Sequence, residues 1–149
     1  MKRIFIKTIL LIVSAIAVVL ILSIVILWIK SPGVSEPITD ADGSPLEGSI
    51  STIEKITLGG QDQYIIIRGI DHTKPIMLFL HGGPGSPEVA FIKHYNLDIE
   101  NDYVMVYWEQ RGAGKSFSKH IPPETMNLEQ MISDTRELSE YLARRFNRE

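Results

Sequence analysis

The sequence predicts an α/β fold, a mostly parallel sheet flanked by helices, preceded by a single transmembrane helix. Three observations predict it. Residues 8–29 form an uncharged apolar stretch. Two short runs, Ile-Met-Leu-Phe-Leu at 76–80 and Tyr-Val-Met-Val-Tyr-Trp at 103–108, are apolar on both faces, as strands of a sheet covered by helices on both sides must be. A helical apolar period then closes the chain after Asn127.

The first element is the apolar stretch. It has 22 residues, and at about 1.5 Å per residue a helix of that length spans roughly 33 Å, enough for a bilayer core. Its apolar residues cover every side, and Trp28 near the far end suits the interface. Lys2, Arg3 and Lys7 precede it, which favours a cytoplasmic N-terminus and an extracytoplasmic body. A cleaved signal peptide has a shorter apolar core and a small-residue cleavage site; Ile26-Leu27-Trp28-Ile29 offers none. The expected organisation is a cytoplasmic tail over 1–7, a membrane anchor over 8–29, a linker over 30–50 and the body over 51–149. The lipid bilayer is thus one expected partner.

The linker contains Pro32, Gly33, Pro37, Gly43, Pro45 and Gly48 and has no hydrophobic period. Two β-rich runs follow, 52–58 and 63–70, with Gly59-Gly60 between them, a hairpin signal. The run ending at Leu80 is the next strand, 87–97 a helix, and the run ending at Trp108 another strand. Asn127 caps the last helix, with Gln130 in capping-box register. Its apolar stripe is Leu128, Met131, Ile132, Leu138, Leu142 and Phe146, and Arg144, Arg145 and Arg148 crowd the end where the helix dipole favours cations. Hairpin, strand, helix, strand, helix is the opening order of an open α/β sheet.

Composition narrows the function. The chain has no cysteine, which removes disulfides, thiolate nucleophiles and Cys-ligated metal. Four of the 15 basic residues flank the anchor and all 18 acidic residues follow it, so residues 31–149 carry 11 basic against 18 acidic groups, a net −7. An acidic body argues against nucleic acid as a partner. Nothing in the pattern calls for a metal or a cofactor.

Two motifs carry chemistry. His81-Gly82-Gly83-Pro84-Gly85 follows the first apolar strand. Its glycines leave the backbone free to approach a substrate, at the strand end where open α/β sheets bind ligands. An amide N–H there suits an oxyanion hole, although a plain Gly-Pro turn would read the same way. His81 is placed to orient this loop rather than to act as a base. The second motif, Trp108-Glu109-Gln110-Arg111-Gly112-Ala113-Gly114-Lys115-Ser116, follows the next strand. Glu109 and Arg111 are expected to brace the neighbouring loop or to form a structural ion pair. Gly114-Lys115-Ser116 is not a phosphate loop, because Glu109 stands where that pattern needs glycine. It is not a nucleophile elbow either, because the closing glycine is missing.

Together these motifs resemble the proline iminopeptidases and their α/β-hydrolase relatives, over about residues 52–146. Glu109 stands where Asp is usual there, and Lys115 where Arg is common. The resemblance implies the N-terminal part of an α/β-hydrolase fold and a serine hydrolase acting on a small peptide, amide or ester. In it, Gly83, or alternatively Gly82, gives an oxyanion-hole N–H, with His81, Pro84, Gly85, Glu109, Gln110, Arg111 and Gly112 as structure around the site. No G-x-S-x-G occurs, so the implied Ser, Asp and His are absent and the domain is expected to stop before the nucleophile. A catalytically inactive fragment or small non-enzymatic membrane protein is the alternative. Whether the reading frame continues into G-x-S-x-G separates the two.

Overall fold

The computed structural model describes residues 2–30, 33–82, 85, 86, 92 and 98–148. They divide into an N-terminal helix and a separate compact body beginning at Val34.

Helix α1, Lys2–Lys30, is the apolar stretch extended through its basic flank. It is long and apolar enough to cross a membrane. Two of its few polar side chains are satisfied within the helix. Thr8 Oγ1 donates to Ile4 O at 3.0 Å, and Ser23 Oγ to Val19 O at 2.8 Å. Internal satisfaction of this kind is what hydrocarbon demands of any polar group.

The stretch from Val34 to Ser49 folds against the body without forming a strand. A bridge pairs Thr39 with Pro45, and Asp40 Oδ1 accepts from the amides of Asp42 and Ser44. Arg68 Nη1 donates to Ser35 Oγ, Ser51 Oγ and the carbonyl of Glu36, at 3.2, 2.7 and 2.8 Å.

Strands β1, Ile50–Leu58, and β2, Gln61–Gly69, form the expected hairpin. Its turn residues Gly59 and Gly60 have φ of 51° and 73°, the left-handed pair that a tight two-residue turn requires. Strand β3 is Ile76–Leu80, the short helix α2 is Ile99–Asp102, and strand β4 is Val104–Glu109. Single turns of 3₁₀ helix at Gly114–Ser116 and Pro123–Thr125 lead to helix α3, Leu128–Arg145. The helix expected over 87–97 lies outside the described residues, apart from Ile92.

The strand order is β1-β2-β4-β3. The sheet is mixed rather than mostly parallel: β1 with β2 and β2 with β4 run antiparallel, and β3 with β4 runs parallel. Connection length explains the difference. The two-residue β1–β2 turn forces antiparallel pairing, and the long β3–β4 link allows a parallel crossover.

Both faces of the sheet are covered, as the apolar runs require. One face packs Leu58, Ile65, Ile67, Val104, Val106 and Trp108 against Leu138 and Leu142 of α3. The other gathers Ile66, Met105 and Tyr107 with Met77, Phe79, Ile92 and Ile99 around them. Every residue of β4 is buried, while β3 is only half-buried, because β4 is its one strand partner among the described residues.

Helix α3 departs from its expected face. Leu138 and Leu142 are in the core, but Leu128, Met131 and Ile132 are 68%, 37% and 55% exposed. The inward stripe over the first two turns is instead Gln130 and Asp134, continuing at i+4 into Leu138 and Leu142. The Asn127 cap forms, with its side chain accepting from Gln130 N at 2.8 Å. The reciprocal half of the capping box does not, because the Gln130 amide turns to Asp134 at 2.8 Å.

Candidate functional site

The parallel pairing of β3 with β4 sets Leu80 beside Trp108. The loops leaving the two strands therefore emerge side by side, and His81 meets Gln110. The Gln110 amide N–H donates to His81 Nε2 at 3.2 Å, and the Gln110 side-chain amide donates to the His81 carbonyl at 2.9 Å. A ring nitrogen that accepts an N–H carries no proton of its own, so the proton of the neutral ring sits on Nδ1. That nitrogen lies 2.9 Å from the Gly82 carbonyl, to which it donates. Gly82 is exposed and Gly85 has φ of 77°. Gly83 and Pro84 lie outside the described residues.

Glu109 and Arg111 do not pair with each other or touch the glycine loop by any described bond. The Glu109 carboxylate accepts the Lys115 amide, and its carbonyl accepts from Ser116 Oγ. Ser116 Oγ in turn accepts Tyr64 N at 2.9 Å, which fixes the 3₁₀ turn to the end of β2. Gly112, with φ of 77°, leaves room for Met126, whose Cε would lie 3.0 Å from an added Cβ.

Arg111 points the other way, into a buried polar network. Its Nε and Nη2 each lie 2.9 Å from a carboxylate oxygen of Asp134, and Nη2 also reaches the carbonyls of Leu58 and Gly59 at 3.1 Å. Gln63 donates to Asp134 at 2.8 Å and accepts from Trp108 Nε1 at 3.0 Å. A second buried pair joins Arg68 to Glu100, which also accepts from Tyr107 OH. Burial, with the Glu100 charge adding to it, pushes the Tyr107 hydroxyl well above its ordinary range. No buried side-chain polar atom lacks a partner among the described residues. The motif is therefore a scaffold in which Glu109, Gln110 and Arg111 brace three different neighbours. Sequence reasoning missed Gln63, Arg68, Glu100 and Asp134. Each is a polar residue in an otherwise ordinary strand or helix pattern, and nothing local announces its burial.

Of the other histidines, His72 and His120 are exposed, the first with Nδ1 2.9 Å from Gly48 O; His94 lies outside the described residues. No cluster of three His, Asp or Glu side chains suited to a metal is found among the described residues. A cavity of about 480 Å³ opens at the N-terminal end of β3, lined by His72, Thr73, Arg145 and Arg148. The glycine loop leaves the opposite end of that strand.

No protein-family model matches the sequence. The chain is 36% identical over 104 residues to the probable aminopeptidase YbaC of Bacillus subtilis, covering 70% of this chain and 33% of that protein. It is 31% identical over 91 residues to a proline iminopeptidase of Lactobacillus helveticus, covering 61% and 31%. In structure it is similar to a proline iminopeptidase-related protein of Thermus thermophilus, with a TM-score of 0.55, 26% identity and coverage of 63% and 33%. The chain thus spans about a third of the length of the curated relatives it matches. Over that partial length it is related to the proline iminopeptidase-like hydrolases.

Proposed function

We propose that this chain supplies the oxyanion side of a serine-hydrolase site, on a body held outside the cytoplasm by a membrane-spanning α1. The substrate class is a small peptide, amide or ester. The observation that carries the reading is the seating of the His81–Gly82 segment against Gln110, where β3 and β4 end together. Relatedness to proline iminopeptidase-like proteins supports it, and so does the position of the loop at the carboxyl edge of parallel strands.

In this mechanism a serine attacks an acyl carbon, and the developing oxyanion is met by fixed backbone N–H groups. Gly83, or Gly82, donates one of them. The serine itself is not among these 149 residues, which hold no G-x-S-x-G. Where the reading frame continues into G-x-S-x-G, the full product should hydrolyse an N-terminal-proline chromogenic amide and take up a fluorophosphonate probe. The 149-residue chain alone should do neither, since covalent catalysis needs a nucleophile and a base in contact. Stoichiometric labelling of the 149-residue chain, abolished by one Ser→Ala change, would overturn this reading. Where the product is active, Gly83→Pro, which deletes an N–H, should lower turnover by about 10²–10³.

The anchor is tested separately. Lys2, Arg3 and Lys7 before the span favour a body outside the cytoplasm, so protease added to intact cells should remove the residues beyond Lys30. Protection of the body while the membrane is intact would reverse the orientation.

A further inference from the structure

We infer that Gln110 and His81 form a positioning pair: Gln110 fixes the imidazole tautomer, and the fixed imidazole in turn holds the backbone of the glycine loop. The inference deepens the reading of that loop as an oxyanion element and takes its purpose from it. The bonds themselves are independent of any activity.

Three contacts carry it. The Gln110 backbone N–H reaches His81 Nε2, and its side chain reaches the His81 carbonyl. His81 Nδ1 reaches the Gly82 carbonyl. The first contact works only with a bare Nε2, so it selects the Nδ1–H tautomer. That tautomer has its one N–H aimed at Gly82, in the stretch where glycine imposes least on the backbone. The second contact removes the freedom left at the His81 peptide. Glycine-rich backbone is costly to order, and an oxyanion donor is useful only if it is ordered before the reaction. A side chain on the neighbouring strand end supplies that order without placing bulk in the cleft. Gln110 is itself held, being 6% exposed and at the end of the fully buried β4.

The test uses the whole 149-residue chain in lipid nanodiscs at about pH 8, where an ordinary imidazole is neutral. Nitrogen-15 spectra of the ring should show the proton on Nδ1; a ring protonated on Nε2 would overturn the inference. Amide exchange at Gln110 is then compared between His81→Gln and His81→Asn. Glutamine can place an acceptor near the Nε2 position, whereas asparagine is too short. His81→Asn should speed Gln110 exchange about fivefold or more, the scale of one net hydrogen bond, and His81→Gln should stay near wild type. Val106, in the middle of β4, should be unmoved in both. Equal exchange at Gln110 in all three proteins would overturn the pairing. Faster exchange at Val106 as well would make His81 a general element of the fold and overturn its positioning role. Neither result depends on hydrolysis, so failure here and failure of the hydrolase reading are distinct.

Discussion

Gly59 shows how much one residue can be asked to do. Its φ is 51°, and an added Cβ would lie 2.2 Å from Gln130 Nε2, 2.3 Å from Asp134 Oδ1 and 2.5 Å from Arg111 Nη2. Its N–H meets Glu137 Oε2 at 2.9 Å, and its carbonyl accepts from Arg111. The turn was legible in the sequence, because Gly-Gly between β-rich runs needs positive φ. The crowding was not, because it depends on Arg111, Gln130 and Asp134, all distant in sequence. Gly59→Ala should therefore cost about 3–5 kcal/mol, more than a turn glycine alone, since it displaces a buried ion pair. Urea titration reads this; Gly60→Ala, with open space around its Cβ, should cost about 1–2 kcal/mol, the left-handed penalty only. Tyr141 adds a pH dependence. It donates to Glu54 at 2.6 Å, and burial, then Glu54, pushes its hydroxyl from 10.0 up to about 12. A raised folded value means that the native state holds this proton more tightly. Its contribution is complete below pH 10 and is lost as pH rises towards about 12. Tyr141→Phe should remove that segment of the alkaline unfolding curve; an unchanged slope would count against the bond.

Among the elements, α3 tests what periodicity can say. Leu128, Met131 and Ile132 fit a helical apolar stripe but are substantially exposed, while Gln130 and Asp134 face inward. Two stripes compete in the first two turns, and a period locates a helix without saying which stripe is buried. Asp134 wins because it alone satisfies Arg111, Gln63 and Gln130 together. Removing it would leave the Arg111 guanidinium, whose side chain is 1% exposed, as an uncompensated buried charge. Asp134→Ala should cost about 3–5 kcal/mol. Asn127→Ala removes only the cap and should cost about 1 kcal/mol. The expectation is an ordering as well as a size: a cap variant as damaging as the Asp134 variant would show that α3 is held by its end and not by its face. Strand β4 was the most legible element, because a run buried on both faces leaves no choice of face to get wrong.

For the whole molecule, the mostly parallel sheet expected from the sequence is corrected to a mixed one. Apolar runs suggested parallel strands, yet the short β1–β2 turn, together with the β2–β4 pairing, makes most of the described sheet antiparallel. The one parallel pair among the described residues is the one that brings His81 to Gln110, so the candidate site depends on the crossover between them. The same topology has a consequence for solution behaviour. β3 is Ile-Met-Leu-Phe-Leu, with no charge or proline within it. Its one strand partner among the described residues is β4, and Leu80 is 51% exposed. An uncharged apolar edge of this kind invites pairing with another chain. The exposed Leu128, Met131 and Ile132 on α3 add apolar surface elsewhere on the body. Residues 34–149, expressed without α1, should therefore self-associate in a concentration-dependent way and bind a hydrophobic dye. Met77→Lys or Phe79→Lys would bury a charge among Met105 and Tyr107. The informative change is therefore Leu80→Lys at the exposed end of β3, which should reduce association while leaving the β2–β4 core intact by amide exchange. A monomeric, dye-silent body before any substitution would mean that the outer edge of β3 is already covered.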